Sequence, residues 1–143
     1  MKTTGTNSEN DKNILISMVR EIAKSFTGEQ STKNWADDAL RFDIPPLAVQ
    51  GKKKSYEIFE NAFRQLRFIK VEILSINTFI NGDMGIVCTI QRWDSVLKDG
   101  TVNPSSLIRQ TNCFEHKNDI WKLIHQHDSM PSGEGWDGKI ISE

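Results

Sequence analysis

The second half of the chain constrains the fold most. From Phe68 to Ser129 it reads as four long β-type runs, Phe68–Ile80, Met84–Val96, Ser105–His116 and Trp121–Ser129. Turn residues separate them: Asn81-Gly82, Lys98-Asp99-Gly100 and Asn118-Asp119. Asn-Gly between apolar runs is the strongest short hairpin signal, and Met130-Pro131 ends the last run. Strands of about a dozen residues exceed the usual length, so a meander of four must twist and curl. A curled sheet closed by helices makes a cone with a cavity.

The first half supplies those helices. Leu15, Met18, Val19, Ile22, Ala23 and Phe26 fall at helical spacing, with Asn10 or Asp11 as the expected cap and Thr27-Gly28 as the stop. A short turn of helix is expected from Ser31 or Thr32 to Trp35. A short strand over Ala39–Asp43 should follow, halted by Pro45-Pro46. Tyr56, Phe59, Phe63 and Leu66 mark a third helix from about Lys53, with the run Lys52-Lys53-Lys54 read as a solvated loop rather than an anion patch. Helices first and strands second argue for α+β.

The expected fold is therefore a cone-shaped, curved antiparallel β-sheet with about three N-terminal helices packed on its concave face. Residues 1–11 are read as a flexible tail, 12–131 as one domain, and the Gly-rich 132–143 as a second tail, polar apart from Trp136 and Ile140-Ile141.

Composition excludes several classes. Eighteen Lys and Arg against nineteen Asp and Glu give a net charge of −1, whereas a general nucleic-acid binder needs a basic surplus. No apolar run approaches the length of a membrane span, and Ile14–Val19, broken by Ser17, is too short for a signal-peptide core. A cytoplasmic location is the default expectation. Cys88 and Cys113 are expected as reduced core thiols, brought near each other across two strands.

Three clusters carry chemistry. His125-x-His127 has the spacing of two metal ligands on one strand face, shared in simple alternation with Trp121 and Leu123. No third ligand follows at suitable spacing, since Glu134 lies beyond Pro131, so packed histidines, no metal and no cofactor are expected. Asp37 and Asp38 read as solvated caps and turns. Asp43 sits among Phe42, Ile44 and Leu47, and a carboxylate in apolar surroundings becomes a better proton acceptor near neutral pH. No glycine loop for phosphate and no Gly-x-Ser-x-Gly elbow is present.

Trp35-Ala36-Asp37-Asp38-Ala39 together with Arg109-x-Thr111-x-x-Phe114 and Trp121-Lys122-Leu123-Ile124-His125-x-His127-x-Ser129-x-Pro131 resembles the nuclear-transport-factor-2-like superfamily. The closest flavour is its SnoaL-like and ketosteroid-isomerase-like group. The resemblance covers residues 12–131 and implies the cystatin-like cone. It also implies that Asp43 occupies the isomerase base position, although Ile44 intervenes before Pro45. The isomerase tyrosine has no counterpart, since Val19 stands near its place. The isomerase acid falls on or near Gln110, whose amide is a weaker donor to an oxyanion. A true ketosteroid isomerase is thus not implied.

The functional expectation is an enzyme abstracting a proton from a small apolar carbonyl compound, with Asp43 as base. Candidate ligand-binding residues are Trp35, Phe42, Tyr56, Phe59, Trp93, Gln110, Gln126 and Asp128. The alternative is a non-catalytic ligand-binding or dimerisation module. A homodimer is expected because apolar residues (Trp121 and Leu123; Ile86, Cys88 and Ile90) occupy more strand surface than helices can cover.

Overall fold

The structure, a computed structural model, describes residues 4–131. The expected C-terminal tail, 132–143, lies outside the described residues, as do the first three residues of the expected N-terminal tail. Among the described residues there are helices α1 (Thr4–Lys24), α2 (Gly28–Thr32) and α3 (Lys52–Arg64) and strands β1 (Trp35–Phe42), β2 (Val49–Gln50), β3 (Leu66–Asn81), β4 (Met84–Leu97), β5 (Ser106–Lys117) and β6 (Ile120–Ser129). The strands form one curved, unclosed sheet in the order β2-β1-β6-β5-β4-β3. β3 to β6 are the expected antiparallel meander. β1 pairs with β6 in parallel, so the sheet is not wholly antiparallel.

Local chemistry explains the turns. Gly82 takes φ +59° between β3 and β4. Asn118 and Asp119 take φ +54° and +61°, the left-handed pair that a two-residue hairpin loop requires. Thr27 caps α2 by accepting the Gln30 N–H at 3.1 Å. Backbone approach is tight at Gly28, where an added Cβ would stand 2.6 Å from the Tyr56 carbonyl oxygen. The Gly28 N–H donates to Glu60 of α3, which ties α2 to α3.

The core holds Leu15, Val19, Trp35, Ala39, Val87, Phe114, Trp121 and Leu123. α1 packs on β3 and β4, while α3 packs on α2 and β1. The apolar stripe of α1 therefore does the work its spacing predicts.

Several expectations need correcting. α1 begins at Thr4 rather than near Asp11, because nothing in 4–10 forbids a helix that the docked stripe has already nucleated. Asp11 is no cap; its carboxylate accepts the Trp121 indole N–H at 3.2 Å. The short helix ends at Thr32, and Trp35 opens β1 instead of closing a helix. Asp37 and Asp38 are exposed within β1, where the register against β6 shifts. The three lysines form the first turn of α3 rather than a loop.

The most consequential correction is in β6. Phe114 pairs with Leu123 but Cys113 pairs with His125, so Ile124 is an extra residue. A bulge of this kind exchanges the faces of the strand beyond it. Trp121 and Leu123 point into the core, and past the bulge it is Gln126 and Asp128 that are buried. His125 and His127 thus lie on the face opposite Trp121 and Leu123. Trp121 and Leu123, expected to contribute to a dimer face, are unavailable for it.

Candidate functional site

A cavity of about 300 Å³ opens between the concave face of the sheet and the helices. Ile22 of α1, Phe59 and Phe63 of α3, Ile69 and Val71 of β3, and Trp93 of β4 form much of its wall. Its floor is polar. Arg41, Asp43, Gln91, Gln110, Gln126 and Asp128 all line it.

Register explains the convergence. Gln110 of β5 stands opposite Asp128 of β6, and Arg41 of β1 stands opposite Gln126. The bulge at Ile124 is what turns Gln126 and Asp128 inward. Asp43 follows directly after β1, and its backbone N–H donates to the Pro46 carbonyl at 3.2 Å, closing the loop to β2.

Arg41 is the centre of the charged group. Its Nη2 pairs with Asp43 Oδ2 and lies 3.8 Å from Asp128 Oδ2. Its guanidinium carbon lies 4.2 Å from the Phe59 ring centroid, a cation–π contact. Burial pulls its pKa down, opposed by Asp43 and then Asp128. Arg41 Nε and Nη1 are buried without a hydrogen-bond partner in the structure.

The two carboxyls differ. Asp43 spends one oxygen on Arg41 and accepts the Ile44 N–H at 2.7 Å with the other. It is an ion-paired carboxylate, not the apolar-enclosed one that the sequence suggests. Asp128 accepts from Gln110 Nε2 at 2.8 Å through Oδ1, while its Oδ2 has no hydrogen-bond partner. Its side chain is 1% exposed. Burial pushes its pKa up from 3.8 to about 7, and the nearby Asp43 adds to the rise. The Gln110 hydrogen bond and Arg41 oppose it. Burial thus favours the protonated form of Asp128 well above the usual carboxylate range, and the oxygen that carries no hydrogen bond is the one facing Arg41.

Of the residues expected in the site, Asp43, Phe59, Trp93, Gln110, Gln126 and Asp128 line the cavity. Trp35, Phe42 and Tyr56 are not among its lining residues. Trp35 is buried in the core, edge-on to Phe59 with ring centroids 5.8 Å apart. Phe42 follows Arg41 on a strand, so it faces outward; its ring meets those of His125 and His127 at 5.0 and 5.5 Å. Tyr56 is exposed on α3.

His125 Nδ1 lies 2.8 Å from the Leu40 carbonyl. Among the described residues no three His, Cys, Asp or Glu side chains are grouped to hold a metal. Cys88 and Cys113 are unbonded and half-buried on the outer face rather than in the core. Burial, and then the neighbouring Cys88, raise the Cys113 pKa.

Sequence reasoning missed Arg41, Gln91 and Asn112. A signal existed for each. Arg41-x-Asp43 has the period of a strand, and Thr89-x-Gln91 and Gln110-x-Asn112 continue inward apolar series that end at Val87 and begin again at Phe114.

The profile of the SnoaL-like domain matches residues 20–133. The chain belongs to the SnoaL-like family. No curated protein matches this SnoaL-like chain. A nuclear-transport-factor-2-like protein from Salmonella enterica serovar Typhimurium superposes with a TM-score of 0.81 at 11% identity, over 91% of this chain and 97% of its own. A Streptomyces avermitilis protein provisionally named a dehydratase gives 0.74 at 16% identity, over 85% and 96%. A Parabacteroides distasonis protein provisionally named a ketosteroid isomerase gives 0.65 at 17%, over 90% and 93%. At such identities these likenesses establish the fold of the SnoaL-like domain and nothing finer. Among the described residues, no helix is long and apolar enough to cross a membrane.

Proposed function

We propose that the cavity binds a small apolar carbonyl compound and moves a proton at carbon, as an isomerase or a lyase does. The observation that carries this reading is the Asp43–Arg41–Asp128 group on the polar floor of a cavity whose walls are largely apolar. Arg41, a cavity-lining cation with hydrogen-bonding capacity to spare, would stabilise negative charge developing on a carbonyl oxygen. Asp128 offers a carboxyl whose pKa burial lifts to about 7 and whose Oδ2 carries no hydrogen bond. Asp43, with both oxygens engaged, holds Arg41 rather than taking the proton. The base role expected of Asp43 thus passes to its neighbour in space. Phe59 and Trp93 pack the ligand, and Gln110 and Gln126 fix the polar floor. The provisional dehydratase and isomerase names of two neighbours in fold accord with proton transfer.

The test is solvent deuterium incorporation next to the carbonyl of small cyclic ketones, followed by proton NMR. Wild type should catalyse the exchange, and Asp128→Asn should slow it by about 10²–10⁴-fold. Ketones that bind without exchanging, or exchange unchanged in Asp128→Asn, would leave the non-catalytic ligand-binding module as the better reading.

A homodimer is the second proposal, supported by the outer face of the sheet. Phe79, Ile86 and Ile90 are 60%, 39% and 45% exposed. Phe79 and Ile86 are cross-strand partners, and Ile86 pairs onward with Cys113, so these side chains form one patch. A self-complementary apolar patch is closed most simply by a second copy about a two-fold axis. Light scattering at micromolar concentration should give twice the chain mass, and Ile86→Lys should return it to one. A wild-type mass of a single chain would end this proposal.

A further inference from the structure

We propose that Trp93, Gln91 and Gln110 form a hydrogen-bonded relay that positions Asp128 and couples the proton on its carboxyl to the cavity wall at Trp93. The proposal rests on the reading of Asp128 as the proton-exchanging group and adds residues that act on it.

The direction of the relay follows from donor chemistry. An indole N–H only donates. Trp93 Nε1 lies 2.7 Å from Gln91 Oε1, so that atom must be the amide oxygen. Gln91 Nε2 then points the other way, donating to Thr89 Oγ1 at 2.8 Å and to Gln110 Oε1 at 3.1 Å. The same Gln110 oxygen accepts from Asn112 Nδ2 at 3.0 Å. Its amide nitrogen is left to face Asp128 Oδ1 at 2.8 Å. One donor-only group at the wall thus fixes both amides and dictates that Asp128 receives a hydrogen bond on Oδ1. The proton of the neutral acid is thereby directed to Oδ2, the oxygen without a partner.

Gln91, Gln110 and Asn112 are all buried, where chains of hydrogen bonds polarise one another and an orphaned member is costly. The charged groups facing Asp128 are Arg41 and Asp43. Arg109, on the neighbouring register pair, bonds Ser129 Oγ and is exposed. The elements above the site contribute apolar side chains, among them Ile22, Phe59 and Phe63. Gln91 and Gln110 are positioning residues: Gln110 acts on Asp128 directly and Gln91 acts through Gln110.

The test uses the ligand-free protein, labelled with ¹⁵N and ¹³C, from pH 5 to 9. The Trp93 indole signal is assigned by its loss in Trp93→Phe, and the Asp128 carboxyl carbon by its loss in Asp128→Asn. In wild type both signals should inflect at one midpoint. In Gln91→Met the Asp128 inflection should persist within about half a pH unit, because Asn112 still holds Gln110, while Trp93 stops following it. In Gln110→Met the Asp128 midpoint should rise by about one pH unit or more, since its ionised form loses a donor. A Trp93 inflection that survives in Gln91→Met is a through-space field effect and overturns the relay. So does a Trp93 signal that stays flat in wild type while Asp128 titrates. An Asp128 carbon that does not titrate in this range removes the site reading as well, so the two failures are distinguishable. If Gln110→Met does not fold, Gln91→Met still decides the matter.

Discussion

Asp128→Asn should stabilise the protein, increasingly so as the pH rises. Folding lifts the Asp128 pKa from 3.8 to about 7, chiefly by burial. Between those values the folded state binds a proton that the unfolded state has released. Stability then falls as pH rises from about 4 to about 7, and is lowest above 7, where a charge sits in the floor of the cavity. The full gap between the two pKa values corresponds to roughly 4 kcal/mol at about 1.4 kcal/mol for each pH unit. Asparagine stays neutral, can accept the Gln110 hydrogen bond through its oxygen, and can turn its nitrogen toward Asp43. Urea unfolding at pH 5 and pH 8 should therefore show the variant's advantage widening by about 2–3 kcal/mol between the two. Parallel pH profiles for the two proteins would mean that Asp128 is ionised throughout and is no acid–base group.

Arg41→Met should have the opposite sign and a comparable size. It leaves Asp43 and Asp128, 12% and 1% exposed, without their shared cation. Removing one member of a buried ion group commonly costs about 3–5 kcal/mol, because the partner charge is stranded. The loss should be largest at pH 8 and smaller at pH 5, where Asp128 carries its own proton. Arg41→Lys should restore little, since a point charge cannot reach both carboxyls in the planar geometry of a guanidinium. The double variant Arg41→Met with Asp128→Asn should recover part of the loss at pH 8, and the difference from additivity measures the coupling. Additive effects of the two substitutions would show that Arg41 and Asp128 do not share an electrostatic site.

Asp43 and Asp128 lie far apart in the chain, and only Asp43 stood out by its neighbours in sequence. Space brings both to Arg41 and gives the free oxygen to Asp128.

What the sequence by itself determined is the set of elements and their order. The period of Leu15, Val19 and Ile22 made α1 an amphipathic helix, and Asn81-Gly82 and Asn118-Asp119 placed two hairpins, because both signals are local. The SnoaL-like resemblance pointed to the same cone. Tertiary structure decided the faces. An extra residue at Ile124 reverses the alternation of β6, burying Gln126 and Asp128 and turning His125 and His127 outward. Strand pairing, not local preference, absorbs that residue, so simple alternation puts the histidines on the wrong side. Parallel pairing of β1 with β6 is likewise a long-range event, and it alone sets Arg41 beside Asp128. A carboxyl's proton affinity depends on what surrounds it in three dimensions, which is why the proton-exchanging group could be identified only after the chain had folded around it.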